Sequence, residues 1–227
     1  MRFQLMAIAA AFVCRAAAIP LQPYSPELHA VAVKGRANSD ESDELQDGPC
    51  KKTTFIFARG SLEPGNMGFV VSPQVCADLK TTLGADAVAC QGVGPPYNAT
   101  IADNFDPQNT SPTDIKAATD LFDLANTKCP DTKIIAGGYS QGTAVLDGSI
   151  QALPASIKAK VTGVVLFGFT RNKQDGGRIP NYPTNQTKIF CASGDIVCDG
   201  ELIITPAHLG YGSDAAAAAS FLVSSLN

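Results

Sequence analysis

The stretch from Lys133 to Ile150 constrains this chain most. An apolar run, Ile134-Ile135-Ala136, breaks at Gly137-Gly138-Tyr139-Ser140-Gln141-Gly142 and resumes as the helix-compatible segment Ala144 to Ile150. It reads as strand, sharp turn and helix with no spacer. In the Gly138-x-Ser140-x-Gly142 spacing both glycines omit a Cβ where strand and helix backbones must nearly touch, so the serine is held proud of a sheet. A serine hydroxyl is a weak nucleophile, and such a placement is useful beside a base and beside donors for an oxyanion.

The base is found by elimination. The chain has two histidines, His29 and His208. His29 falls in a Pro-rich, acidic N-terminal region, which leaves His208, in the loop-like stretch Pro206 to Gly212. An imidazole acting as base also needs a carboxylate to hold its tautomer, and behind an elbow of this kind the chain order is serine, acid, histidine. The acids between Ser140 and His208 are Asp147, Asp175, Asp195, Asp199 and Glu201. Asp195 stands out because it follows the last strand-like run and lies between Cys191 and Cys198. Asp199, in an Asp-Gly turn, is the alternative. The two oxyanion donors are expected from the backbone N–H of Gln141, directly after the nucleophile, and from Ser61 in the loop after the first strand.

Strand-like runs occur at Thr53 to Phe57, Ala87 to Cys90, Lys133 to Ala136, Val161 to Phe167 and Thr187 to Phe190. Most are continuously apolar, the pattern of strands buried on both faces. Helical segments lie between them, among them one capped by Ser111-Pro112-Thr113-Asp114 and running to about Thr127. Strand and helix in alternation predict an α/β fold with a small, mostly parallel five-stranded sheet and helices on both faces.

Three segments are expected. Residues 1–18, with Arg2, an apolar block from Leu5 to Val13 and Ala16-Ala17-Ala18, have the form of a secretory signal peptide. Residues 19–49, with Pro20, Pro23, Pro26 and the run Ser39 to Glu44, have little to bury and read as a disordered leader or pro-segment. Residues 50–227 form one domain. The formal net charge of −4 sits largely in the leader. The nearly neutral remainder excludes nucleic acid as a partner and suits an apolar or solid substrate. No stretch is apolar for long enough to insert stably in a membrane.

Beyond Cys14 in the signal, six cysteines remain: Cys50, Cys76, Cys90, Cys129, Cys191 and Cys198. An even number behind a signal peptide predicts disulfides, though spacing alone leaves the pairing open. The Cys191 to Cys198 spacing, with no histidine nearby, is poor for zinc, and no metal or cofactor is expected.

Several separated blocks resemble the fungal cutinases, secreted serine esterases of the small α/β-hydrolase type. They are Phe55 to Ser61, Gln91 to Gly94, Gly137 to Gly142, Gly177 to Pro183, Cys191 to Cys198 and Pro206 to Gly212. The resemblance implies a three-layer α/β-hydrolase sandwich and a triad of Ser140, Asp195 and His208 with Ser61 and Gln141 at the oxyanion. It implies bridges Cys50 to Cys129 and Cys191 to Cys198, with Cys76 and Cys90 as a third. It also places Ile101, Leu202, Ile204 and Leu209 on a crevice rim and Asn104 as a brace for the oxyanion loop. The implied substrate is cutin, the polyester of plant cuticle, or short acyl esters, hydrolysed through an acyl-enzyme; a monomer is expected. Acetylxylan esterases and general lipases or carboxylesterases share the chemistry. A catalytically silent protein that binds the plant surface is the non-enzymatic reading.

Overall fold

Phe55 and Phe57 point to one side of the first strand and Ile56 and Ala58 to the other, and each pair enters a different hydrophobic core. That period of two, with both sides apolar, is why the strand reads as an uninterrupted hydrophobic run. The computed structural model describes residues 40–227. The signal-peptide reading, His29 and most of the leader lie outside the described residues.

Five strands, β1 (Thr53–Ala58), β2 (Val88–Gly92), β3 (Lys133–Tyr139), β4 (Val161–Phe167) and β5 (Thr187–Phe190), form a sheet in the order β2-β1-β3-β4-β5. Every pairing is parallel. The expected strands are all present. β3 runs three residues beyond the expected Ala136, because Gly137 and Gly138 pair with Val165 and Leu166 as regular strand residues. Glycine is needed there: a Cβ at Gly137 would lie 2.8 Å from the Phe57 ring. β5, at the sheet edge, is only half-buried, unlike the other four.

Counted along the described chain, the helices are α1 (Glu44–Asp47), α2 (Ser72–Leu83), α3 (Pro112–Lys128), α4 (Gln141–Ala152), α5 (Ala155–Lys158) and α6 (Ala215–Ser224). α2 and α6 cover the Phe55/Phe57 side through Val75, Leu79, Ala218 and Leu222. α3 and α4 cover the other through Leu121, Phe122, Val145 and Ile150. α3 starts with a complete capping box: the Ser111 side chain accepts from the Asp114 amide, and the Asp114 carboxylate accepts from the Ser111 amide. The result is the three-layer sandwich expected.

The boundary at residue 49 needs correcting. Residues 40–49 are part of the folded domain, with Leu45 only 2% exposed in the core. The acidic run lies at the surface, with Glu41 and Asp43 exposed, but two of its carboxylates are bonded to the sheet. Glu44 accepts from the Cys90 amide at 2.9 Å, and Asp43 accepts from the Gln91 side chain at 2.8 Å. These carboxylates serve the outer edge of β2: Glu44 gives the Cys90 amide its acceptor, and Asp43 shares the Gln91 side chain with Gln46. Composition alone hides that use.

Disulfides join Cys50–Cys129, Cys76–Cys90 and Cys191–Cys198.

Candidate active site

Ser140 sits between β3 and α4 at φ 52° and ψ −125°, a conformation rare for a residue with a side chain. Tight packing enforces it. A Cβ at Gly142 would lie 2.0 Å from the Ala58 carbonyl oxygen, and one at Gly138 would lie 2.6 Å from the Gly142 oxygen. The strain, of order 1–3 kcal/mol, is held by the Ser140 amide donating to the Phe167 oxygen at 2.9 Å and by the Thr143 amide donating back to the Ser140 oxygen. The elbow glycines are therefore steric requirements.

The structure brings Ser140, His208 and Asp195 into one row. Ser140 Oγ lies 2.9 Å from His208 Nε2, and His208 Nδ1 lies 2.9 Å from Asp195 Oδ2. A carboxylate that collects donors fixes the tautomer: Nδ1–H donates to Asp195, which leaves Nε2 to accept from the serine hydroxyl. His208 and Asp195 are buried. Asp199 and Glu201 are exposed, and Asp147 faces Arg171 from inside α4.

Two loops carry the acid and the base, and they are tied together. The Cys191–Cys198 bridge closes the loop around Asp195, and the Thr205 hydroxyl donates to the Gly194 oxygen at 2.9 Å. The Val197 amide donates to Asp195 Oδ1 at 3.1 Å. Tyr139 donates from its hydroxyl to the His208 carbonyl oxygen at 3.0 Å, with ring centroids 5.2 Å apart.

Tyr211 adds a contact not evident from the motifs. Its hydroxyl donates to Asp195 Oδ2 and accepts from the Ala192 amide. Burial, followed by its bond to Asp195, pushes the Tyr211 hydroxyl well above its usual range, so it remains a donor throughout ordinary working pH.

Gln141 opens α4, where the first backbone N–H groups have no intrahelical acceptor. Its side chain is turned inward, donating to the Thr100 oxygen at 2.7 Å, so the amide is what it can offer the cleft. Opposite, the Asn104 side chain donates to Ser61 Oγ at 2.9 Å. With that lone pair used, the Ser61 hydroxyl proton is free to donate elsewhere. Asn104 is braced in turn by Asn109, whose side chain donates to its carbonyl oxygen.

These groups open into a cleft of about 290 Å³ lined by Ser61, Ser140 and His208 together with apolar side chains. Ile101, Leu202, Ile204 and Leu209 all line it, and all are exposed rather than packed in the core. Leu62 and Phe105 join them at 73% and 75% exposure. Neither was anticipated, since one exposed apolar residue in a loop carries no signal until the loops are brought together.

A serine elbow on a parallel, helix-flanked sheet, with a histidine and an acid delivered by later loops, defines an α/β-hydrolase of the serine-hydrolase class. The family model Cutinase matches residues 49–226. A probable cutinase 3 of Neosartorya fischeri is 59% identical over 219 residues, 96% of this chain and 98% of that protein. Among solved structures, a Trichoderma reesei cutinase in complex with a phosphonate inhibitor is 32% identical with a TM-score of 0.74, covering 88% of this chain and 86% of the other. An acetylxylan esterase, 20% identical with a TM-score of 0.63 over 78% of this chain and 100% of its own, shares the fold. This chain belongs to the cutinase family of carboxylic ester hydrolases.

Proposed function

We propose that this enzyme is a secreted cutinase in which Ser140 attacks the ester carbonyl while His208 takes the hydroxyl proton. Asp195 holds the imidazole and stabilises its cation. The Gln141 amide and Ser61 receive the negative charge of the tetrahedral oxygen. His208 then passes its proton to the departing alcohol, leaving an acyl group on Ser140 that water removes by the same steps. The observation that carries this reading is the 2.9 Å approach of His208 Nε2 to Ser140 Oγ at the floor of an apolar cleft.

The rim favours a polyester over a sugar polymer. Leu62, Ile101, Phe105, Leu202, Ile204 and Leu209 offer apolar surface to acyl chains and few partners to carbohydrate hydroxyls. Cutin and short acyl esters fit that surface better than acetylated xylan. In this reading residues 1–18 direct secretion, the chain from Ile19 to residue 39 is a leader, and the three disulfides suit an oxidising exterior. The mature enzyme acts as a monomer.

Purified protein assayed on cutin, on p-nitrophenyl butyrate and on acetylated xylan tests the substrate class, and N-terminal sequencing of the exported form tests the processing. Faster turnover on the acetylated xylan than on either other ester would overturn the polyester assignment.

A further inference from the structure

The loop between β1 and α2 closes around a buried carboxylate. Glu63 is 8% exposed. Its Oε2 accepts from the Gly60 amide at 2.7 Å, and its Oε1 accepts from the Phe69 and Val70 amides, each at 2.8 Å. Among the described residues no cation pairs with it, so its charge is met by backbone donors, the strong form of carboxylate hydrogen bond.

The backbone around it leaves no slack. Gly68 has φ 75°, and a Cβ there would lie 2.5 Å from the Glu63 carboxylate. The Arg59 guanidinium donates from Nε to the Glu63 carbonyl oxygen at 2.8 Å. Leu62 is held at φ 63°, a left-handed conformation costly for a branched side chain, and its amide donates to the Ala99 oxygen at 3.0 Å.

The amides on either side of Ser61 are therefore both engaged, Gly60 by Glu63 and Leu62 by Ala99. The N–H between them makes no internal hydrogen bond among the described residues. Ser61 is left as the residue whose amide and hydroxyl can both face an acyl oxygen.

We infer that Glu63 is a positioning residue for the oxyanion site. By gathering the Gly60, Phe69 and Val70 amides, its carboxylate fixes the loop so that Ser61 is preset before substrate arrives. The inference rests on the proposed role of Ser61 and goes beyond it, because it locates the source of the preorganisation one turn away from the reacting atoms.

The test uses Glu63→Gln. A glutamine cannot accept at both ends, and its NH2 group would confront one of the loop amides. On p-nitrophenyl butyrate, kcat per active site should fall about 10- to 100-fold, part of the loss typical of removing one oxyanion donor, with KM changed less than about twofold. Active sites are counted by stoichiometric labelling with an organophosphonate, so a poorly folded fraction does not enter kcat. Should Glu63→Gln fail to fold, Glu63→Asp keeps the charge but shortens its reach, and the same split of kcat from KM is expected.

A Ser61→Ala background provides the readout that a purely structural role would not move. There the loss caused by Glu63→Gln should shrink, since part of what Glu63 positions is gone. An unchanged kcat per labelled site, whatever the thermal stability, would overturn the inference, as would an equal loss with and without the Ser61 hydroxyl. Failure of the phosphonate to label the wild-type enzyme would instead refute the serine mechanism itself.

Discussion

Gly168 leaves open the volume that the His208 ring fills. A Cβ on Gly168 would lie 2.6 Å from His208 Cε1 and 2.8 Å from Nδ1. The glycine, directly after β4, has φ 60°. The end of one central strand thus shapes the slot for a side chain delivered forty residues later.

Gly168→Ala is accordingly expected to damage catalysis more than stability. The positive φ costs on the order of 1 kcal/mol, but the added methyl must also push the imidazole off the line between Ser140 and Asp195. We expect kcat to fall at least about 100-fold, the scale of a 1 Å misplacement, with KM little altered. Steady-state kinetics beside a thermal melt would check this; an active variant with only a lowered Tm would contradict it.

Tyr211→Phe removes one donor from Asp195 and leaves the Ala192 amide without its acceptor. We expect a loss of about 1–3 kcal/mol of stability from the lost Asp195 hydrogen bond and the unpaired, part-buried Ala192 amide. A fall in kcat without a matching rise in KM should accompany it, because the carboxylate that holds His208 loses an anchor. Chemical denaturation and p-nitrophenyl butyrate kinetics measure the two effects separately.

Asp147 predicts a pH effect on stability. Burial first, and Asp175 second, push its carboxyl up to about 7, against the opposing pull of Arg171 and the Gln151 side chain. An unfolded chain ionises this group near the ordinary value of 3.8, so between the two values the unfolded state binds fewer protons. The stability contribution is fully present below the lower value and is lost as pH rises through about 7. Asp147→Asn should gain on the wild type in Tm across this window and hold a constant advantage above it. Parallel Tm curves for the two proteins would refute the assignment.

The apolar rim should act on surface contact rather than on chemistry. Phe105→Ser combined with Leu202→Ser should weaken adsorption to a polyester film and slow hydrolysis of the film several-fold. Turnover of p-nitrophenyl butyrate should change much less, because the small ester needs only the cleft floor. Equal losses on both substrates would mean that these side chains act on the chemistry rather than on surface contact.

Features written in contiguous residues were legible before any coordinates. The Gly138-x-Ser140-x-Gly142 turn, the helix N-cap at Ser111 and the buried strands each announce themselves within a short window. Asp195 could be singled out because two cysteines frame its loop. Gly168, Glu63 and Tyr211 could not, since what each does depends on a partner brought from elsewhere or on a backbone turn that only the folded loop reveals. The run at Asp43 and Glu44 misled for the opposite reason: its composition matches a solvated leader, while its carboxylates are spent on the outer edge of β2.

Turnover by this mechanism requires the Ser140 oxygen to become covalently acylated. Rapid-quench mass spectrometry of the enzyme mixed with p-nitrophenyl butyrate should show a butyryl group on the peptide containing Ser140, formed within the first turnover and absent from Ser140→Ala. The same variant should lose at least about 10⁴-fold in kcat. Hydrolysis at the wild-type rate by Ser140→Ala, or an acyl group found on any other residue, would contradict the mechanism.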